Sequence, residues 1–286
     1  MSQILSALPI REYFLPQLRR QVDALRERGI TPLLKIIVVG ENRASAAYIK
    51  NKKRFAENIN AQCDIERFPE SINEEELLVQ IQKEIEDKKV HGILVQLPLP
   101  QHLAQIDLSA IIPPEKDVDG FHYESLGKLL AHHKGDYMVP CTPMGIMTLL
   151  DFYKIAIEGK KVTVIGRSTI VGRPIAQLLI NRNATVTICH SKTPDIKSYT
   201  KESDIIIVAI GREKFLTADY LSPHKKAVII DVGINVNDKG DICGDVDFEN
   251  IQDKVSAITP VPGGVGPLTI LSLAQNLIKA AQHHLK

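Results

Sequence analysis

The sequence has no tryptophan, only 5% aromatic residues and four cysteines in 286 positions. Those cysteines (Cys63, Cys141, Cys189 and Cys243) are far apart, and no CxxC or Cys/His pair has zinc spacing. The pattern argues against a disulfide scaffold and reads as reduced structural thiols in a cytosolic protein. No HExxH occurs, and the doublets His132-His133 and His283-His284 sit in polar or terminal stretches, so no metal site is expected. Nothing approaches the ~18 consecutive apolar residues of a membrane span. Arg11 and Glu12 interrupt the first apolar stretch too early for a signal peptide. Excess charge of either sign is also lacking: 35 Lys+Arg face 34 Asp+Glu, for a net +1. That balance argues against a nucleic-acid binder that relies on bulk charge, though not against a local basic patch.

What remains is ordinary for a soluble globular chain, with 44% apolar and 24% charged residues. The length fits two modest domains or one large one. Apolar strand patterns alternate with helical ones almost throughout, which predicts an α/β fold with mostly parallel strands and crossover helices. In the first half, residues 3–28 read as a helix with Leu15, Leu18, Val22 and Leu25 on one stripe. LLKIIVVG (33–40), residues 62–68 and GILVQL (92–97) read as strands, and 43–59 and 74–88 as helices. The texture becomes turn-rich over 113–142, placing a domain junction near residue 140 and a connecting helix over about 143–157. A second alternating series follows, with strands at 161–166, 185–191, 204–211, 227–233 and 255–261. Helices fill 172–182 and 195–202, and a last one spans 267–284.

KVTVIGRSTIVGRP is a strand, a glycine turn and a helix start. Its G-x5-G spacing departs from G-x-G-x-x-G. Gly166 can still make the sharp turn, and Gly172 can allow close approach of phosphate to the helix amides. An ordinary strand-to-helix turn has the same look. The next strand ends in His190, Ser191 and Lys192, with no carboxylate for a ribose 2′-hydroxyl, and Arg167 lies in the glycine loop. A hydroxyl beside cations favours NADP over NAD.

In the first half, RASAAYIKNKKRFAENI looks like a solvated basic helix until it is projected at about 100° per residue. With Tyr48 at zero, Lys52 falls near about +40°, Phe55 near about −20° and Ile59 near about +20°, while Lys50, Lys53 and Arg54 point elsewhere. A lysine on an apolar stripe either loses pKa through desolvation or snorkels to water from the stripe's edge. Gln96 is a lone amide at the end of an apolar strand, where open parallel sheets bind ligands. KDVDGF supplies Asp117 and Asp119, which suit a turn but lack the further ligands of an EF-hand. TPVPGGVGP (259–267) is a stiff loop that can close on a flat polar ligand or merely join the last strand to the last helix.

The strings SAAYIKNK, GILVQLPLP, PEKDVDGFH, PCTPMGI, VTVIGRSTIVGRP, CHSKT, DVGIN, GDVDF and ITPVPGGVGPLTI together resemble the bifunctional methylenetetrahydrofolate dehydrogenase/methenyltetrahydrofolate cyclohydrolases. The resemblance implies two α/β domains with the active site in the cleft between them. One is a folate-binding catalytic domain made of residues 1–140 plus 268–286, and the other a Rossmann-type NADP domain over 141–267. It implies oxidation of 5,10-methylenetetrahydrofolate with NADP, then hydrolysis to 10-formyltetrahydrofolate, in a cytoplasmic homodimer. The family's catalytic positions fall on Tyr48, Lys52, Gln96 and Asp119. Substrate contacts fall on Tyr48, Val95, Gln96, Leu97, Asp119, Pro262, Gly263, Gly264 and Val265, and cofactor contacts on Gly166, Arg167, Ser168, Gly172, Ser191 and Ile234. A dehydrogenase for another small substrate, or a non-catalytic dinucleotide-binding regulator, would share the nucleotide loop.

Overall fold

The computed structural model describes residues 2–41 and 43–283, with the side chains of residues 42–47 outside that description. Ser45 and His284 therefore lie outside the described side chains. The chain divides into two compact units, one of residues 12–141 and 270–283, the other of residues up to Arg11 and 142–269.

In the first of these, the strand Leu33–Val39 lies between Gln62–Phe68 and Gly92–Val95, all three parallel. Every residue of Gly92–Val95 is buried, which explains its unbroken apolar run. Ile37, Leu77, Ile81, Ile93 and Leu103 are fully buried around it. Each such side chain contributes roughly 1.5–3 kcal/mol by leaving water.

The helix Glu74–Glu86 opens on a capping box, in which Asn73 accepts from the Glu76 amide at 2.9 Å and Glu76 accepts from the Asn73 amide at 3.3 Å. At its other end the buried Lys116 amine donates to the carbonyls of Ile85 and Asp87 at 2.7 and 2.8 Å. It thereby satisfies groups a helix end leaves unpaired. The residues after Lys116 form a bridge beside Gly92–Val95: Ile93 donates to the Lys116 carbonyl at 2.8 Å and pairs with Asp117. The KDVDG turn is thus tied to both the sheet and a helix.

The second unit carries six parallel strands in the order Gln3–Ile4, Ala257–Ile258, Val228–Asp231, Ile205–Val208, Lys161–Ile165, Thr185–Cys189. Apart from the amino-terminal edge strand, this is a doubly wound order whose switch point falls between Lys161–Ile165 and Ile205–Val208. The amino terminus is grouped with this unit. Residues 3–28 read as one helix, but the helix is Ala7–Glu27 and Gln3–Ile4 is a strand. The Gln3 and Leu5 amides donate to the Ser256 and Ile258 carbonyls at 2.9 and 2.8 Å, which draws residues up to Arg11 into this unit. The connecting helix also begins and ends earlier than expected, at Cys141–Phe152.

A buried carboxylate, Asp231, ends the interior strand Val228–Asp231. Asp231 accepts the amides of Gly233, Asp245 and Val246 at 3.0, 2.9 and 2.9 Å. Burial pushes its carboxyl up to about 6, against the pull of those donors. The folded state then holds a proton that the unfolded chain, at 3.8, releases. This group's stabilisation is therefore full below 3.8 and lost as pH rises through about 6. Carboxyl-carbon NMR of the native protein should place the Asp231 midpoint near about 6. A midpoint at or below 3.8 would mean that the amide donors outweigh burial.

Candidate active site

The helix Arg43–Asn58 buries Ile49, Lys52, Phe55 and Ala56 while Lys50, Asn51, Lys53, Arg54 and Glu57 face solvent. Lys52 is only 6% exposed. Its amine does not snorkel: Nζ donates to Gln96 Oε1 at 3.1 Å and lies 4.9 Å from the Tyr48 ring centroid. Gln96 is placed by the sheet, because its own amide donates to the Ile37 carbonyl at 2.9 Å just past Gly92–Val95. Its Nε2 donates to the Leu97 carbonyl at 2.8 Å, which leaves Oε1 to the lysine. Val95 is buried in the strand, and Leu97, 42% exposed, precedes a cis proline.

The two aspartates of KDVDG have separate tasks. Asp117 accepts from the Gly120 and His122 amides at 3.1 and 2.6 Å and staples the turn. Burial raises its carboxyl to about 6 despite those donors. Asp119 is raised by burial and pulled back chiefly by the charge of Lys52. Burial in turn lowers the Lys52 amine below its ordinary 10.5, and Asp119 is the strongest influence in the other direction.

Cys141, read from sequence only as a structural thiol, and Asn276, not singled out there, hold this turn. Cys141 donates to the Val118 carbonyl at 3.2 Å. Asn276, from the helix Val265–His283, donates to the carbonyls of Val118 and Val139, both at 2.9 Å. Gly120 is required here, since its φ is +77° and an added Cβ would lie 2.6 Å from the Val139 carbonyl carbon.

In the other unit, Gly166 adopts φ +126° and Gly172 packs on it: a Cβ on Gly172 would lie 2.4 Å from the Gly166 carbonyl oxygen. This is a cradle that only glycine pairs allow. Ser168 Oγ accepts from the Val171 and Gly172 amides, both at 3.2 Å, at the mouth of the helix Gly172–Ile180. A cavity of about 780 Å³ opens at the switch point, lined among others by Gly166, Arg167, Ser191, Ala209, Ile210 and Arg212. Arg167 and Ser191 are exposed there and suit a phosphorylated nucleotide. Ser168 and Gly172 are not among its lining residues. Ile234 lies outside it and is 59% exposed.

Pro262 to Val265 form the turn that opens the last helix. Gly263 has φ +104°, and a Cβ on Gly264 would lie 2.5 Å from the Pro260 carbonyl oxygen. Among the described residues no group of three or more His, Cys, Asp or Glu could hold a metal. None of their helices is long and apolar enough to cross a membrane.

Residues 5–119 match the family model of the tetrahydrofolate dehydrogenase/cyclohydrolase catalytic domain. Residues 140–285 match that of the NAD(P)-binding domain of the same family. The bifunctional protein FolD of Bacillus subtilis is 48% identical over 269 residues, which is 94% of this chain and 94% of its own. The crystal structure of the bifunctional enzyme FolD from Campylobacter jejuni is similar with a TM-score of 0.93 at 42% identity, over 99% of both chains. The Trypanosoma brucei methylenetetrahydrofolate dehydrogenase-cyclohydrolase, solved with NADP and an inhibitor, gives a TM-score of 0.93 at 32% identity over 100% of this chain and 99% of its own.

The electrostatic pairing sets a test. Nitrogen NMR should give Lys52 a midpoint below 10.5, and Asp119→Asn should lower it further. A midpoint unmoved by that substitution would put Asp119 out of reach of the amine. Gly120→Ala should lower the unfolding free energy measured in urea by more than the ~1–2 kcal/mol of a left-handed backbone alone, because the Val139 carbonyl must also move.

Proposed function

The chain belongs to the tetrahydrofolate dehydrogenase/cyclohydrolase family, and we propose that it oxidises 5,10-methylenetetrahydrofolate to 5,10-methenyltetrahydrofolate with NADP and then hydrolyses the product to 10-formyltetrahydrofolate. The observation that carries this reading is the buried Lys52 amine, 3.1 Å from Gln96, beside Tyr48 and under the charge of Asp119.

The carbon to be oxidised lies between two nitrogens whose lone pairs stabilise the resulting cation. That step needs positioning more than acid–base help. NADP supplies the hydride acceptor. Toward it, Gly166 and Gly172 leave room for a pyrophosphate at a helix mouth, and Ser168 stands beside that helix mouth. Arg167 and Ser191, with no carboxylate at the end of Thr185–Cys189, favour a 2′-phosphate. Ile234 is assigned to the cofactor on the family's pattern.

Hydrolysis does need proton transfer. Water attacking the methenyl carbon must lose a proton, and the neutral Lys52 amine, favoured by burial and by a cationic substrate, accepts it. Collapse of the adduct forms the carbonyl and breaks the bond to N5: the Lys52 ammonium returns its proton to that nitrogen, and the adduct's hydroxyl proton passes to the freed amine and on to water, leaving the formyl group on N10. Gln96 aims the amine. Tyr48 stacks on a ring of the folate, and Asp119 accepts from the donor edge of the pterin. Val95, Leu97 and the turn Pro262, Gly263, Gly264 and Val265 complete the substrate contacts. Residues 1–140 plus 268–286 are assigned to folate and 141–267 to NADP, in a cytoplasmic homodimer, on the family's pattern.

With methylenetetrahydrofolate and NADP, absorbance should report both NADPH and the methenyl chromophore. Lys52→Met should abolish hydrolysis and retain some hydride transfer, and a normal hydrolysis rate in that variant would remove Lys52 from the chemistry. Asp119→Ala should raise the folate KM about tenfold or more, the loss expected for a charge-assisted hydrogen bond. Turnover of NADP with another small substrate, and not with the folate, would point to a different dehydrogenase.

A further inference from the structure

Arg212 stands on the loop after the strand Ile205–Val208, and its backbone is tightly held. The fully buried Asp245 accepts the amides of Ile210 and Gly211 on Oδ2 at 2.7 and 3.0 Å. On Oδ1 it accepts the Arg212 amide at 2.7 Å and Asn235 Nδ2 at 2.9 Å. Three consecutive amides converging on one carboxylate fix the path of this loop. The carboxylate is itself confined, since a Cβ on Gly233 would lie 2.2 Å from its Oδ1.

The Arg212 side chain, by contrast, is exposed and lines the same cavity of about 780 Å³ as Gly166, Arg167 and Ser191. Its guanidinium lies 5.3 Å from the Phe215 ring centroid. Among the described residues neither Arg212 nor Arg167 has a carboxylate partner. Lys197, which also lines the cavity, is neutralised by Asp219, and Asp195 there accepts the Ser198 amide at 3.3 Å. Two uncompensated guanidinium groups and a hydroxyl facing one cavity match a doubly charged phosphate.

We propose that Arg212 is a second specificity-determining contact for the phosphorylated ribose of the dinucleotide, with Asp245 the positioning residue that holds it at the cavity. The inference rests on the NADP reading above.

Calorimetric titration of the full chain with 2′,5′-ADP and with 5′-AMP separates the two. Arg212→Gln should weaken 2′,5′-ADP about tenfold, the scale of one charge-assisted contact, and leave 5′-AMP unchanged. Arg212→Lys should recover part of the loss, since the charge returns without the fork. Asp245→Asn should weaken 2′,5′-ADP in the parent chain but add little to Arg212→Gln. Equal loss for both probes in Arg212→Gln, no loss for either, or full additivity with Asp245→Asn would overturn the proposal. If Asp245→Asn fails to fold, the two Arg212 variants decide alone. A parent chain that binds both probes equally would instead overturn the NADP reading itself.

Discussion

An ammonium group withdrawn from water is expensive to hold unless its surroundings replace hydration with directed partners. The amine of Lys52 meets that demand with one amide oxygen, one aromatic face and one nearby carboxyl. Each partner is then pinned by something else. Gln96 is set by the sheet edge, Asp119 by the KDVDG turn, and the turn by Lys116, Asp117, Cys141 and Asn276. The amine is thus poised between two opposed influences, burial that favours loss of its proton and a carboxyl that favours keeping it.

The second unit handles buried charge of the other sign in another way. Asp245 accepts four N–H groups, three from one loop and one from Asn235. Asp231 accepts three backbone amides. Carboxylates satisfied in this manner are architectural: their oxygens are engaged mainly in fixing backbone. Asp119 differs from its neighbour Asp117 on the same ground. Asp117 spends its oxygens on the Gly120 and His122 amides, whereas Asp119 faces a lysine and a thiol.

Much of this was legible in the residues, and the limits have physical causes. Helical periodicity puts Lys52 on the buried stripe, and an amide ending an apolar strand stands out as Gln96 does. The division of labour between Asp117 and Asp119 was not legible, because the amides that decide it are backbone groups common to any sequence. Asn276 carried no local signal, since it acts on Val118 across 158 positions. Arg212 and Asp245 are 33 positions apart and meet only when the sheet is assembled. The strand Gln3–Ile4 has two residues, too few to show a period, and was absorbed into the helical pattern that follows it.

The edge strand Gln3–Ile4 and the amide of Asn276 bear on the order in which the protein can be made. Gln3–Ile4 leaves a ribosome long before its partner Ala257–Ile258 is made. The turn around Val118 likewise waits for Asn276. Neither unit is a contiguous stretch of chain, so each keeps an unpaired strand or an unfilled turn until its later segment has been synthesised. Long-range closure of this kind slows folding and lengthens the exposure of edges that could pair wrongly. The arrangement couples completion of the Asp119 turn to synthesis of the late helix, so a chain released before Asn276 lacks the side chain that ties Val118 to Val139.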